Sequence, residues 1–469
     1  DPFDDVREHI RAGLIEGSVP SIAVAVAKDG KVIWEEGFGW ADRERRIPAS
    51  EHTMYSLASI SKPITATGLM TLVQARKVRL DAPANDYLGN AKLRARVGSA
   101  LDGTVRRLAD HTSGLPLHYQ FFYADESAVV PSMDETILRY GNLVTAPGEK
   151  FNYSNLGYGV LDHIMARVSG LTYAEFMRRE VFIPLGLTRT SVGVGAGLEQ
   201  YTATRYSTEG QPLPFYDFDH PGASAVFSSA HDLVRFGLLH LKTLQRDQRA
   251  ILTDAAIDEM QRLPAGGNGD GYGLGFFIDD RSGVRVVSHN GGMPGVATTL
   301  RLFPESKLAI AVLSNSDSRL PRSTAERIAQ ILLPQIKPIA GKWPEPKPFT
   351  APPDLLGVWR GVLETYAKNV PLELRFMKDG DVHASVGGEH VLLVNDATFT
   401  DGQFAGVIEA RLGTPDADRL GTRVSFSLKL RGDVLNGGAT VQRDANSRRE
   451  RGALTHWVEL RRLPELVGR

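Results

Sequence analysis

The chain has 469 residues, no cysteine, and 54 Lys+Arg against 55 Asp+Glu, for a formal net charge of -1 at pH 7. The missing thiols exclude a disulfide scaffold, a cysteine nucleophile and a cysteine-ligated metal, and the charge balance gives no support for a nucleic-acid partner. With 42% hydrophobic and 23% charged residues, the composition is that of an ordinary globular chain, long enough at about 100–200 residues per domain for two or three domains.

From the N-terminus, DPFDDVREHIRAGLIEG places Val6, Ile10 and Leu14 at helical spacing behind an Asp-Pro start. SIAVAVAKDGKVIWEEGFG then reads as two strands around Asp29-Gly30, a strong hairpin signal. Apolar runs such as 22–27 are far shorter than the ~18–20 residues that cross a bilayer, so no transmembrane anchor is expected. A helix is expected from near Ser59 through ISKPITATGLMTLVQARK, with Pro63 tolerated in its first turn. Residues of about 80–241 change to turns and helical stretches such as LGYGVLDHIMARVSG, which reads as a largely helical insertion. Strand signals return at 273–278, 284–288, 297–303 and 308–313, and PRSTAERIAQILLPQI closes this part as a helix.

The pattern predicts an α/β fold of the α+β type: a helix-flanked antiparallel sheet built from both ends of residues 1–340, with a mainly helical subdomain inserted between them. Prolines 338, 344, 346, 348, 352 and 353 mark a boundary, with a linker expected over 341–354. Beyond it, WRGVLE, LELRFMKDG, HVLLVND, QFAGVIEA, TRVSFSLKLRGD and HWVELRRL are short strand-like runs, predicting a smaller all-β, barrel-like domain over 355–469. That domain reads either as a stabilising or homo-oligomer-forming appendage or as a wall that shapes access to a site. Absence of cysteine fits an exported protein, so a periplasmic or secreted location is expected ahead of a cytoplasmic one.

Three segments carry chemistry. Ser59-Ile60-Ser61-Lys62 stands at the expected start of a helix, where residues i and i+3 share a face, so Lys62 can reach the Ser59 hydroxyl and help remove its proton. A surface turn would carry the same pair, but a helix start also offers backbone N–H groups where negative charge develops. Tyr153-Ser154-Asn155 lies in the turn-rich PGEKFNYSNLGYG. A neighbouring ammonium can favour the Tyr153 phenolate as a proton acceptor, and Asn155 can offer amide hydrogens to a substrate carbonyl and its oxygen to Lys62. The alternative is a packing aromatic followed by a helix cap. Ser288-His289-Asn290-Gly291-Gly292 ends a strand signal; Gly291 and Gly292 permit close approach of a substrate and leave an N–H for an oxyanion. His289 can bond Tyr153 or a substrate group, or be a satisfied edge residue.

Taken together, S59-I-S-K62, Y153-S-N155 and H289-N-G291 resemble, in order and approximate spacing, the motifs of the serine β-lactamase and penicillin-binding protein superfamily. The likeness is to its class C-related branch, which includes D-amino-acid-specific peptidases and carboxylesterases. LADHTSGLP at 108–116, TAPGEKFNYSNLGYGVLDHI at 145–164 and FIPLGLTRT at 182–190 support it. The resemblance implies Ser59 as acylated nucleophile, Lys62 and Tyr153 as the proton-transfer pair, Asn155 as substrate positioner, His289 with Gly291 as third motif, and the N–H groups of Ser59 and Gly292 as oxyanion hole. It implies a small-molecule or short-peptide substrate and no cofactor or metal. His-Asn-Gly replaces the Lys-Thr-Gly or Lys-Ser-Gly of the antibiotic hydrolases, which removes a permanent cation and a hydroxyl from the place that meets a substrate carboxylate. Asn290 joins this substrate-binding group, and His118, just after HTSGLP, is a further candidate there, with a solvent-facing loop position as its alternative.

Overall fold

The computed structural model describes residues 1–264, 269–337, 349–443 and 449–464. An eight-stranded antiparallel sheet runs Asp270–Tyr272, Phe277–Asp279, Val286–Met293, Val296–Phe303, Leu308–Ser314, Ser21–Lys28, Lys31–Asp42, Ile47–Pro48. Both ends of the first 340 residues therefore build it. The hairpin at Asp29-Gly30 closes with Lys28 opposite Lys31, and both turn residues have positive φ, 50° and 77°, the conformation that matches strand twist.

Ser21–Lys28 is buried along nearly its whole length because helices cover both sheet faces. Ile22, Val24 and Val26 pack with Val6 and Ile10 of the helix Asp4–Glu16 and with Ala325 and Ile328 of Leu320–Leu332. The alternate residues Ala23, Ala25 and Ala27 face the main core, where their small side chains let the helix Ala230–His240 approach closely. Gly237 of that helix marks the closeness: a Cβ there would stand 2.8 Å from Leu302 Cδ2.

The inserted part is mainly helical but not wholly so. Tyr119–Tyr123 pairs with Tyr216–Phe218 and also with Gly452–Arg462 of the C-terminal domain, with Gln120 opposite Gly452. The smaller domain is a nine-stranded antiparallel sheet in the order Val391–Leu393, Val382–Val386, Asn369–Phe376, Gly357–Glu364, Gly452–Arg462, Val434–Gln442, Arg423–Arg431, Gln403–Glu409, Asn395–Thr400. It curls into a near-barrel over a core that includes Trp359, Leu374, Phe404 and Leu428. Val370, Leu372, Leu374 and Phe376 alternate inward along one strand, as a one-sided core requires. Residues 341–348 of the expected linker lie outside the described residues.

The two domains share a polar seam in addition to the strand pairing. Arg431 forks onto both oxygens of Glu149, Arg449 onto both of Asp125, and Tyr140 donates to Asp416 Oδ2 at 2.7 Å. No helix among the described residues is long and apolar enough to cross a membrane.

Candidate active site

Ser59 lies in a tight turn, Ala58–Ile60, that runs directly into the helix Ser61–Gln74. The expected helix thus begins two residues later than the nucleophile candidate, and Lys62 sits within one turn of it. Ala58 holds φ at 48°, a left-handed conformation that costs an L-residue about 1–2 kcal/mol. The surroundings hold it there: Leu57 N–H donates to Val226 O at 2.9 Å, and Leu57 O accepts from Thr298 Oγ1 at 2.9 Å. Gly291 makes the fit possible, since a Cβ at 291 would stand 2.1 Å from Leu57 O and 2.2 Å from Thr298 Oγ1.

Lys62 is fully buried. Its Nζ lies 3.1 Å from Ser59 Oγ, 2.6 Å from Asn155 Oδ1 and 3.3 Å from Ala223 O. Burial pushes the Lys62 pKa well below the ordinary lysine value. These three oxygens can take the three N–H donors of an ammonium; in the neutral amine that burial favours, the two carbonyl oxygens take the protons and the lone pair is left for the Ser59 hydroxyl. Asn155 opens the helix Asn155–Ser169, which Ser154 caps by accepting from Gly157 N–H at 3.2 Å.

Tyr153 stands beside this pair, with Lys62 Nζ 4.7 Å from its ring centre. Burial raises its pKa, and contact with Ser59 offsets only part of that. Burial thus works against both the phenolate and the ammonium of the expected pair and favours the phenol and the amine. The physical reason is that both groups lose water, and each loss disfavours the charged form. Amine plus phenol carries the same number of protons as ammonium plus phenolate, so the pair can still pass a proton between them.

His289 is buried, and its pKa is lowered to about 3 by burial and by Lys62. It bonds Tyr272 and not Tyr153: Nδ1 lies 2.7 Å from Asn290 O, a pure acceptor, so Nδ1 carries the proton and Nε2 accepts from the Tyr272 hydroxyl at 3.0 Å. Its ring centre is 6.4 Å from that of Tyr153. The Asn290 side chain faces away from Ser59. Alternation along Val286–Met293 turns Gly291 to the Ser59 turn and Asn290 to the other face, where Oδ1 accepts from Thr299 Oγ1 at 2.6 Å. Gly292 sits opposite Ala297, one step from the Met293–Val296 pair that closes the hairpin. That register makes 292 a non-hydrogen-bonded position, so its N–H points away from the neighbouring strand. On that side the strand Phe277–Asp279 pairs only as far as Ser288, leaving the edge open.

His118 is neither on the cleft nor in a solvent-facing loop. It is buried with Nε2 2.7 Å from Asp219 Oδ2, because Asp219 needs donors away from water. Burial works against the Asp219 charge, but His118 and His220 outweigh it and hold the carboxyl well below its usual range. Two residues of the site were not anticipated from sequence. His111, inside the HTSG segment, accepts from Ser154 N–H at 3.1 Å and lies 4.3 Å, centre to centre, from the Tyr153 ring. Tyr272, one residue before the strand expected at 273–278, occupies His289 and lies 4.6 Å from His111. A cavity of about 920 Å³ opens beside them, lined by Phe151, Tyr272, Phe277, Asp110 and Lys150 among others.

The family model described as Beta-lactamase matches residues 6–333. The chain is 27% identical over 320 residues to Penicillin-binding protein 4* of Bacillus subtilis, covering 63% of this chain and 68% of that protein. It is 25% identical over 336 residues to Protein flp of Staphylococcus aureus, covering 70% of this chain but only 65% of that protein, so the chain spans about two thirds of these relatives' length. Among solved structures, the octameric penicillin-binding protein homologue from Pyrococcus abyssi superposes with a TM-score of 0.61 at 23% identity, over 96% of this chain and 99% of that one. SurE with D-Leu superposes with a TM-score of 0.63 at 21% identity, over 98% of this chain and 99% of that one. At these identities the likeness is one of fold, and it takes in the C-terminal domain.

Proposed function

The chain belongs to the beta-lactamase family and is a serine hydrolase, and on that premise we propose that Ser59 is its nucleophile and that a short peptide or amide is its substrate. Lys62 takes the Ser59 proton as Oγ attacks the carbonyl carbon, and the N–H groups of Ser59 and Gly292 hold the oxyanion. Collapse of the tetrahedral intermediate breaks the C–N bond; Tyr153 protonates the departing amine and recovers a proton from Lys62. Water then attacks the acyl-enzyme, giving its proton to the same pair, and Ser59 leaves as the hydroxyl. Asn155 orients Lys62 and the substrate carbonyl side. The observation that carries this reading is the environment of Lys62 Nζ, with two carbonyl acceptors and the Ser59 oxygen within 3.3 Å.

The peptide reading draws support from relatives whose names refer to penicillin binding and from SurE with D-Leu. One observation favours a carboxylesterase as second reading. His289 stays neutral at pH 7 and is used up by Tyr272 and Asn290, so it supplies no fixed cation for a terminal carboxylate. A panel of D- and L-aminoacyl amides, p-nitrophenyl esters and nitrocefin ranks these readings by kcat/KM. The amides are expected to lead; esters in front would establish the esterase, and nitrocefin in front would contradict both. A penicillin adduct that persists for hours would mark a binding or sensor module. We also propose self-association through the C-terminal domain, whose end strand exposes Val391 and Leu393. Light scattering that returns a monomer at micromolar concentration would refute it.

A further inference from the structure

Beneath Lys62 lies a short helix, Pro221–Ser224, that makes no contact with substrate in the mechanism above but supplies Ala223 O to Lys62 Nζ. It is wedged between the helices that carry Lys62 and Asn155. Gly222 O accepts from Thr65 Oγ1 at 2.6 Å on one side, and Gly222 N–H donates to Asp162 Oδ2 at 2.5 Å on the other. A Cβ at 222 would stand 2.6 Å from Tyr158 O, so the wedge has no slack toward Asn155–Ser169. Its position is set at its N-terminal end by His220, whose backbone oxygen accepts from Ala223 N–H at 3.0 Å.

His220 is in turn fixed by Asp219. Asp219 is fully buried and ringed by donors: His220 Nδ1 at 2.6 Å from Oδ1, His118 Nε2 at 2.7 Å and Gln120 Nε2 at 2.9 Å from Oδ2. Gln120 has its other end taken by the smaller domain. Arg419, on the helix Pro415–Leu420, donates from Nη2 to Gln120 Oε1 and from Nη1 to Phe121 O, each at 3.0 Å. Asp416 is three residues earlier on the same helix; it accepts from Tyr140, whose ring lies 5.0 Å from that of His118. One short helix of the C-terminal domain thus grips the Asp219 cluster from two sides.

We propose that Arg419 is a positioning residue for Lys62, acting through Gln120, Asp219, His220 and the helix Pro221–Ser224, so that the catalytic base of the first domain is completed by the second. The proposal rests on the reading of Lys62 as the base for Ser59. Its physical content is orientation. The guanidinium fork fixes the Gln120 amide so that its NH₂ faces Asp219, the saturated carboxylate fixes His220, and the wedge then presents Ala223 O where it takes one Lys62 proton and leaves the lone pair on Ser59. Without the fork, Gln120 can rotate and present its oxygen to Asp219, two acceptors face to face, and the wedge loses its anchor.

The test is the rate at which a fluorophosphonate labels the full-length protein, read by intact mass, because it reports Ser59 activation without a known substrate. Arg419→Ala and Gln120→Leu are each expected to lower the maximal labelling rate about tenfold while leaving half-saturation within about twofold, the mark of misorientation and not of lost binding. The double variant should be no slower than the slower single, since both break one chain. Millimolar guanidinium should speed Arg419→Ala but not Gln120→Leu. Glu126→Gln, which removes the 3.6 Å ion pair of Arg419 without touching Gln120, should label at the parental rate. Arg419→Lys keeps the charge and loses the fork; it should be slow as well, and it carries the test if alanine prevents folding. Parental rates in folded Arg419→Ala or Arg419→Lys, or multiplying effects in the double variant, would overturn the proposal. Labelling of Ser59→Ala would instead bring down the nucleophile assignment, which keeps the two failures apart.

Discussion

Gly291 and Gly292 are neighbours on one strand, yet the structure gives them opposite tolerance to a methyl group. At 291 an added Cβ would meet Leu57 O at 2.1 Å and Thr298 Oγ1 at 2.2 Å, while at 292 nothing lies within 4 Å. A carbon and an oxygen rest at about 3.2 Å or more, so Gly291→Ala forces roughly 1 Å of retreat on the turn that carries Ala58 and Ser59, because Leu57 O is backbone and cannot swing aside. Overpacking of this kind costs about 1–3 kcal/mol. A displacement of about 1 Å at a reacting atom can cost on the order of 10²-fold in rate. Gly291→Ala is therefore expected to unfold at a lower temperature and to label with a fluorophosphonate about a hundredfold more slowly. Gly292→Ala should keep the parental melting temperature, with its methyl in the open space beside the strand. Differential scanning fluorimetry and labelling kinetics on the two variants check this. Parental melting and labelling in Gly291→Ala would refute the claim that close approach to Leu57 sets the Ser59 turn.

Other outcomes follow from the same geometry. Lys62→Met, close in size and without a proton to exchange, should lower acylation by about 10²–10⁴-fold, measured as fluorophosphonate labelling at neutral pH. The parental acylation rate should fall on acidification through a pKa well below the ordinary lysine value, because the amine form is the active one, and that limb should vanish in Lys62→Met. Stability has a matching sign: the unfolded chain holds the Lys62 proton up to about pH 10.4 while the folded chain gives it up earlier, so the parent should gain stability relative to Lys62→Met as pH rises through that window. Asp219 has the opposite sense. Its folded pKa lies below the unfolded value of about 3.9, so its contribution is present above that pH and lost as pH falls, and Asp219→Asn should flatten the acid side of a melting-temperature profile.

How much of this was legible in the sequence depends on whether the partner of a residue is near in the chain. Asp29-Gly30 specifies its own hairpin, and Ser59 with Lys62 needs only one helical turn to meet, so both could be read locally. The ends of the first 340 residues carry alternating or wholly apolar strands whose sheet partners follow from the same pattern. Tyr119–Tyr123 falls inside the stretch that reads as a largely helical insertion, because its two strand partners, Tyr216–Phe218 and Gly452–Arg462, lie far along the chain. Val434–Gln442 carries no clear strand signal in the sequence because Gly437 and Gly438 interrupt its apolar pattern. The structure gives their reason, since a Cβ at 437 would stand 2.2 Å from Ser427 O and one at 438 would stand 2.7 Å from Thr455 Cγ2. In the site, residue types and order were visible, but their environment was not. Whether Tyr153 rests as phenol or phenolate depends on lost water, and the partner of His289 depends on Tyr272 arriving from a strand two places away in the sheet. His118 could not be placed without Asp219. The C-terminal domain was separable by composition, yet nothing in its sequence announced that Arg419 reaches the cluster below Lys62.

The central claim is that Ser59, deprotonated by a neutral Lys62, becomes the acylated atom. Intact-mass and peptide mapping after fluorophosphonate treatment measure it directly. One adduct, mapped to Ser59 in the parent and absent from Ser59→Ala, is the predicted result; an adduct retained at full yield in Ser59→Ala, or mapped to another serine, would contradict it.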